Sequence, residues 1–233
     1  MHNHQEAQPS RGRWTDIAGM GTIVQNGLVF YPRLWTREAG LSSKAPLLKH
    51  VQDLFDLLEA RRIPYVLVGG IALLYYVEGR NTRDLDLLLA LKDLARLPEV
   101  HITHQDVSFA QGRFRDLDLD FLLTTNPLFR RVQQEYTQTV SLLGRNVTIA
   151  TVEGLLLLKL YALPSLYRQG NFTKVSLYEN DIALLMYHYP VSPGPLLEEL
   201  KAYLGEGEWQ ALKEIVDEIQ RRVQRFRRGE TGF

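Results

Sequence analysis

Apolar residues change period along this chain, and the changes mark its elements. Over residues 45–62 they fall at Leu47, Val51, Leu54, Phe55 and Leu58, the spacing of an amphipathic helix. Pro64 then precedes a short apolar run, Tyr65–Val68, which predicts a buried strand closed by Gly69-Gly70. Ile71–Val77 predicts a second helix ended by Gly79. Asp84–Ala90 (DLDLLLA), Val107–Ala110, Leu117–Leu123 and Asn146–Ala150 predict strands. Between them, Lys92–Leu97 predicts a short helix closed by Pro98. Asn126 before Pro127 predicts a capped helix to about Tyr136.

Beyond residue 150 the pattern is helical only. Helices are predicted at Val152–Leu163 behind the cap Thr151, at Tyr178–His188, at Leu196–Leu204 and at Trp209–Arg228. The stretch Tyr189–Pro195, with three prolines and a glycine, breaks the chain. The last helix places Leu212, Ile215, Ile219, Val223 and Phe226 on one stripe. Near the start, Asn26-Gly27 between apolar runs predicts a hairpin over Thr22–Tyr31. The expected organisation is an N-terminal extension (1–44), a mixed α/β core (45–150) and a C-terminal helical region (151–233).

Composition narrows the chemistry. The 233 residues contain no cysteine, which excludes disulfide scaffolds, thiol nucleophiles and thiolate metal sites. Twenty-seven basic residues balance 27 acidic ones, so any affinity for nucleic acid must be local. The one dense basic patch is Arg221, Arg222, Arg225, Arg227 and Arg228, where a helix C-terminus favours cations and RNA phosphate is a second reading. The polar start carries no signal-peptide core. The longest uncharged, largely apolar run, Tyr65–Val77, is shorter than the roughly 20 residues a membrane span needs. A soluble, cytoplasmic protein with no membrane partner is expected. His101 and His104 lack a second pair that would make a zinc site.

The chemistry concentrates in Val66–Ala90. Asp84 and Asp86 alternate with Leu85 and Leu87, so both carboxylates project from one strand face. Their repulsion is relieved by a divalent cation, and magnesium takes one or two carboxylates with water and phosphate oxygens. Gly69-Gly70 before a helix lets a phosphate approach free N–H groups at the positive dipole end. A third carboxylate would complete a two-metal site. Asp116, Asp118 and Asp120 alternate along one face of the next candidate strand; Asp120, deepest in the apolar run, is the first choice and Asp118 the second.

Gly69-Gly70, a 13-residue gap and Asp84-Leu85-Asp86 together resemble the nucleotidyltransferase superfamily related to DNA polymerase beta. The segment Thr151–Leu163, then Arg168, then Tyr178–Leu185 resembles the abortive-infection AbiEii-like branch, with Lys159, Arg168 and Asp181 at that branch's Lys, Arg and Asp positions. The resemblance spans roughly residues 47–188. It implies a nucleotidyltransferase core in which Gly69 and Gly70 hold a nucleoside triphosphate and Asp84, Asp86 and Asp120 bind two magnesium ions. Lys159 would contact phosphate, with Arg168 and Asp181 near the nucleotide; Arg83, just before the Asp pair, is read from its position as a substrate contact or a solvated loop end. The resemblance further implies a toxin of a toxin–antitoxin or phage-defence pair, acting on RNA or a tRNA end and partnered by an antitoxin. The rivals are a small hydroxylated acceptor such as an aminoglycoside, and a non-catalytic binding module. Two departures stand out: Gly70 replaces the serine common in the superfamily, and the segment 169–178 reads as an insertion that makes Lys174 an alternative to Arg168.

Overall fold

A computed structural model describes residues 46–77, 82 and 84–229, with side chains from residue 49 onward. The predicted hairpin at Thr22–Tyr31 and Arg83 lie outside the described residues. The chain runs α1 (Pro46–Ala60), β1 (Tyr65–Val68), α2 (Gly69–Tyr76), β2 (Asp84–Leu89), α3 (Leu91–Leu94), β3 (His101–Gln105), β4 (Phe109–Phe114) and β5 (Leu117–Leu123). It continues with α4 (Pro127–Glu135), β6 (Thr137–Leu142), β7 (Arg145–Ala150), α5 (Val152–Arg168), α6 (Phe172–His188), α7 (Pro193–Leu200) and α8 (Glu206–Arg227). The architecture is α/β, a mixed sheet with a helical C-terminal part, as the pattern predicts.

The strands form one seven-stranded sheet in the order β3-β4-β5-β2-β1-β7-β6. The β1–β7 and β2–β5 pairs are parallel and the other pairs are antiparallel. In β2 and β5 acidic and apolar residues alternate until Leu88 and Leu122, which are apolar on the acidic side. Leu85, Leu87 and Leu89 face one side with Leu119, Phe121 and Leu123, all buried. That side is covered by α1, whose Phe55 stacks on Tyr65 of β1 with ring centroids 5.6 Å apart. The other side carries Asp84, Asp86, Asp118 and Asp120, and α4 and α5 pack against part of it. There Phe109 of β4 meets Phe129 of α4 edge to face at 5.1 Å, and Phe129 meets Tyr161 of α5 at 6.0 Å.

Local chemistry sets the connections. Leu143 (φ 55°) and Gly144 (φ 75°) are both left-handed, the requirement of a two-residue hairpin turn between β6 and β7. Asn126 caps α4 by accepting from the Leu128 and Phe129 amides, and Thr151 caps α5 by accepting from Gly154. Polar side chains also tie the layers together: Tyr76 Oη donates to the Ala150 carbonyl (2.6 Å), Tyr189 Oη to Tyr76 (2.9 Å) and Trp209 Nε1 to Leu197 (2.8 Å).

Several expectations change. Two strands, β3 and β6, carry little apolar signal; both are sheet edges, where only one side meets a neighbour. Val107 belongs to the turn between β3 and β4, and is exposed. Helix α6 starts six residues before the predicted Tyr178: Gly170 (φ 64°) turns the chain, Asn171 caps α6, and the helix begins at Phe172. Pro193 opens α7 within the stretch expected to break the chain. Phe226 does not join the apolar stripe of α8; it is exposed, and Val216 is buried instead. No helix among the described residues is long and apolar enough to cross a membrane.

Candidate active site

Strand β1 stops at Val68, opposite Asp86 of β2, and the chain turns at once into α2. The turn residue is Gly69, with φ 63°. A Cβ there would lie 2.0 Å from Asp86 Oδ2 and 2.6 Å from Asp86 Cβ, so the carboxylate occupies the space that glycine leaves. Gly70 is equally hemmed in, since its Cβ would lie 2.5 Å from Thr82 Oγ1. The Gly70 amide donates to Asp86 Oδ2 at 3.2 Å, so the positive end of α2 faces an acidic side chain.

The parallel β2–β5 register sets Asp86 beside Asp120 and Asp84 beside Asp118. Asp86 and Asp120 are partly buried and both line a cleft of about 610 Å³, within the roughly 300–1,000 Å³ of small-molecule sites. Asp84 is exposed at the start of β2 and Asp118 is exposed beside it; neither lines the cleft. Arg113 holds Asp118 through Nε and Nη2 at 3.0 and 2.9 Å. Asp116 lies in the β4–β5 turn, 3.6 Å from His50 Nδ1. Asp120 accepts a hydrogen bond from Gln111 Nε2 of β4 at 3.0 Å, and Gln111 lines the cleft too. Gly69 borders the cleft, while Gly70 is buried behind it.

The helical part of the chain supplies cations to the same cleft. Lys159 of α5, Arg168 at the end of α5 and Lys174 of α6 all line it. Lys159 is buried; its Nζ lies 2.7 Å from Asp181 Oδ2 and 4.3 Å from the centroid of the Tyr178 ring. Asp181, also buried, sits behind Lys159 and does not line the cleft. Arg168 is largely exposed and is paired with Glu208 of α8, another cleft residue. Asp86, Asp120, Lys159 and Arg168 therefore share one cleft, with Gly69 on its border.

Some lining residues escape sequence reasoning: Gln111, His104, Asp106, Phe109 and Tyr178. Gln111 and His104 had a usable signal only once the strands were aligned. His104 pairs with Gln111 and Gln111 with Asp120, so a row His104–Gln111–Asp120–Asp86 crosses four strands on one face. Asp106, in the β3–β4 turn, accepts from the Ser108 and Phe109 amides at 2.7 and 2.8 Å; these hydrogen bonds, Ser108's first, hold its carboxyl below the usual value.

The donor set suits magnesium. Both cleft carboxylates are hard oxygen ligands. Among the described residues no three His, Asp or Glu side chains form a closed cage, and magnesium needs none when water and phosphate complete its shell.

No family model matches the chain, and no curated protein matches it. Solved structures do. An antigenic nucleotidyltransferase-like protein from Paracoccidioides brasiliensis superposes with a TM-score of 0.52 at 19% identity, over 78% of this chain and 91% of that one. The solution structure of the antibiotic-resistance factor ANT(2'')-Ia aligns with a TM-score of 0.46 at 13% identity, over 78% of this chain and 96% of that one. The first likeness shows that the chain has a nucleotidyltransferase-like fold, as the pattern Gly69-Gly70 and Asp84-Leu85-Asp86 had suggested.

Proposed function

We propose that the chain is a magnesium-dependent nucleotidyltransferase, moving a nucleoside monophosphate from a nucleoside triphosphate to an acceptor hydroxyl with release of pyrophosphate. One observation carries this reading: Asp86 and Asp120 stand in register in one cleft, with Gly69 packed directly on Asp86. Asp86 and Asp120, with Asp84 beside them, would hold two magnesium ions. When bound, these ions neutralise phosphate charge and stabilise the attacking and leaving oxygens.

The protein's own groups would position the reactants. The α2 amides after Gly69 and Gly70 would receive phosphate oxygens. Lys159, Arg168 or Lys174, and Arg83 would balance the remaining charge. Asp181 would hold Lys159 in place, and Asp120 would accept the proton of the attacking hydroxyl. This division of labour, positioning and charge neutralisation, is what phosphoryl chemistry mostly requires.

The resemblance implies an RNA or tRNA end as acceptor, and a toxin whose antitoxin partner restrains it. A small hydroxylated acceptor is the second reading, and one observation favours it. Of the five C-terminal arginines, Arg222 and Arg227 are engaged on backbone carbonyls of α6, at 3.4 Å from Glu179 and 2.7 Å from Met186, so the patch open to RNA is smaller than the sequence suggests.

The test is incubation of the protein with each labelled triphosphate, magnesium and either total RNA or an aminoglycoside, beside Asp86→Ala. Label transferred by the wild type and lost in the variant is expected. Absence of label together with no magnesium-dependent triphosphate binding in calorimetry would refute the proposal. Binding without transfer to any acceptor would instead point to the non-catalytic module.

A further inference from the structure

In-line transfer at phosphorus places the attacking hydroxyl and the departing pyrophosphate on opposite sides of the reacting atom. The sheet arranges its polar groups in one line that matches this demand. From the end of β1 outward, the order is Gly69, Asp86 on β2, Asp120 on β5, Gln111 on β4 and His104 on β3. Adjacent strands are about 4.8 Å apart, so His104 stands about 10 Å beyond Asp120, room for about two sugar rings. Gly69, the α2 terminus and the triphosphate they would receive lie on the other side of the carboxylates.

We propose that the strip of sheet beyond Asp120, formed by His104 and Gln111 with Asp106 at its end and the exposed ring of Phe109 beside it, is the acceptor subsite, and that it takes a small, polyhydroxylated molecule of neutral or positive charge. The proposal rests on the nucleotidyl-transfer reading of the same cleft. Gln111 is a positioning residue: its amide donates to Asp120 Oδ1, which fixes the carboxylate and directs its other oxygen elsewhere. His104 offers a ring nitrogen to an acceptor hydroxyl. Phe109 is about two-fifths exposed and braced by Phe129, and offers an apolar face to a sugar ring. All four residues line the cleft.

Charge selects the acceptor class. Asp106 is tied to its own turn by two backbone amides, and this keeps it ionised. A fixed negative charge at the far end of the strip repels a phosphate backbone and attracts an ammonium group. In the transfer step, the acceptor oxygen forms a bond to the α-phosphorus and its proton passes to Asp120. The bond between the α-phosphorus and the bridging oxygen breaks, and pyrophosphate leaves with that electron pair.

The experiment is calorimetry on the full chain with magnesium and a non-hydrolysable triphosphate already bound, titrating in turn an aminoglycoside, a neutral disaccharide and a short RNA with a free 3′ hydroxyl. The expected result is binding of the aminoglycoside, weakened about tenfold by His104→Ala and by Asp106→Asn, with triphosphate affinity unchanged in both. Asp106→Asn keeps an acceptor oxygen for the turn and so separates charge from folding. Gln111→Leu should lower kcat and raise the magnesium concentration needed for half activity, a shift that a merely structural role would not produce. Binding of RNA but not aminoglycoside, or aminoglycoside binding indifferent to both substitutions, overturns the subsite while leaving nucleotidyl transfer standing. Failure of the wild type to bind magnesium and triphosphate overturns both.

Discussion

Replacing Gly69 with alanine tests the site at its tightest point. The new Cβ would sit 2.0 Å from Asp86 Oδ2, 2.2 Å from Cγ and 2.6 Å from Cβ, where real contacts do not fall below about 3.0 Å. Turning the carboxylate relieves the first two contacts only. The third involves Asp86 Cβ, so the backbone of β1 or β2 must give as well. The left-handed φ of 63° adds roughly 1–2 kcal/mol for a residue with a side chain, and overpacking adds about 1–3 kcal/mol. The sum, about 2–5 kcal/mol, corresponds to a fall in Tm of roughly 4–20 °C for a chain of this size. The carboxylate moves by about 1 Å, which costs an enzyme on the order of 100-fold in rate. Thermal unfolding by circular dichroism and label transfer at saturating magnesium measure the two effects. A variant whose Tm lies within about 1 °C of wild type, with activity within about threefold, would show that Gly69 is not pressed on Asp86 and that the metal geometry drawn from it is wrong.

Three further outcomes follow from the same geometry. Asp120→Asn should reduce kcat by about 100-fold or more with little change in Tm, while Asp118→Asn, whose parent is exposed and held by Arg113, should stay within a few-fold of wild type; the reverse ranking would make Asp118 the third carboxylate. Lys159→Met leaves Asp181 charged in the interior and should lose about 3–5 kcal/mol in urea unfolding; adding Asp181→Leu should recover much of that stability but none of the activity, and recovery of both would reduce Lys159 to a structural role. Burial lifts the hydroxyls of Tyr65, Tyr76, Tyr136 and Tyr167 from 10.0 to about 12, so the folded protein holds protons that the unfolded chain releases; stability is fully present below pH 10 and should fall between pH 10 and 12, and a flat urea midpoint across that range would contradict it.

The sequence was most readable where one physical requirement dominated. β1, β2 and β5 are buried on one face or both, and their ends fall within a residue of the pattern's prediction. The pair Asp84/Asp86 and the preferred Asp120 were visible because carboxylates in apolar strands need a reason. What stayed hidden depends on partners distant in the chain. Gln111 and His104 look like surface residues until β4 and β3 are set beside β5, and Asp106 looks like any turn aspartate. Edge strands such as HITHQ bury too little to show a period. The early start of α6 was missed because two helix caps and a left-handed glycine resemble a loop in composition.

The β2–β5 register has a consequence for how the chain folds. It sets Asp84 against Asp118 and Asp86 against Asp120, two like-charged pairs that oppose the very pairing that creates them. A slip of one residue would turn Leu85, Leu87 and Leu89 outward and is forbidden by burial. A slip of two residues in one direction keeps every leucine inside and leaves one opposed pair, Asp84 against Asp120, in place of two. That misaligned sheet is the natural kinetic competitor of the native one. The interlock of Gly69 with Asp86 and the meshing of Phe121 with its neighbours are what must defeat it. A divalent cation present during refolding would bridge the opposed acids and tilt that competition toward the native alignment.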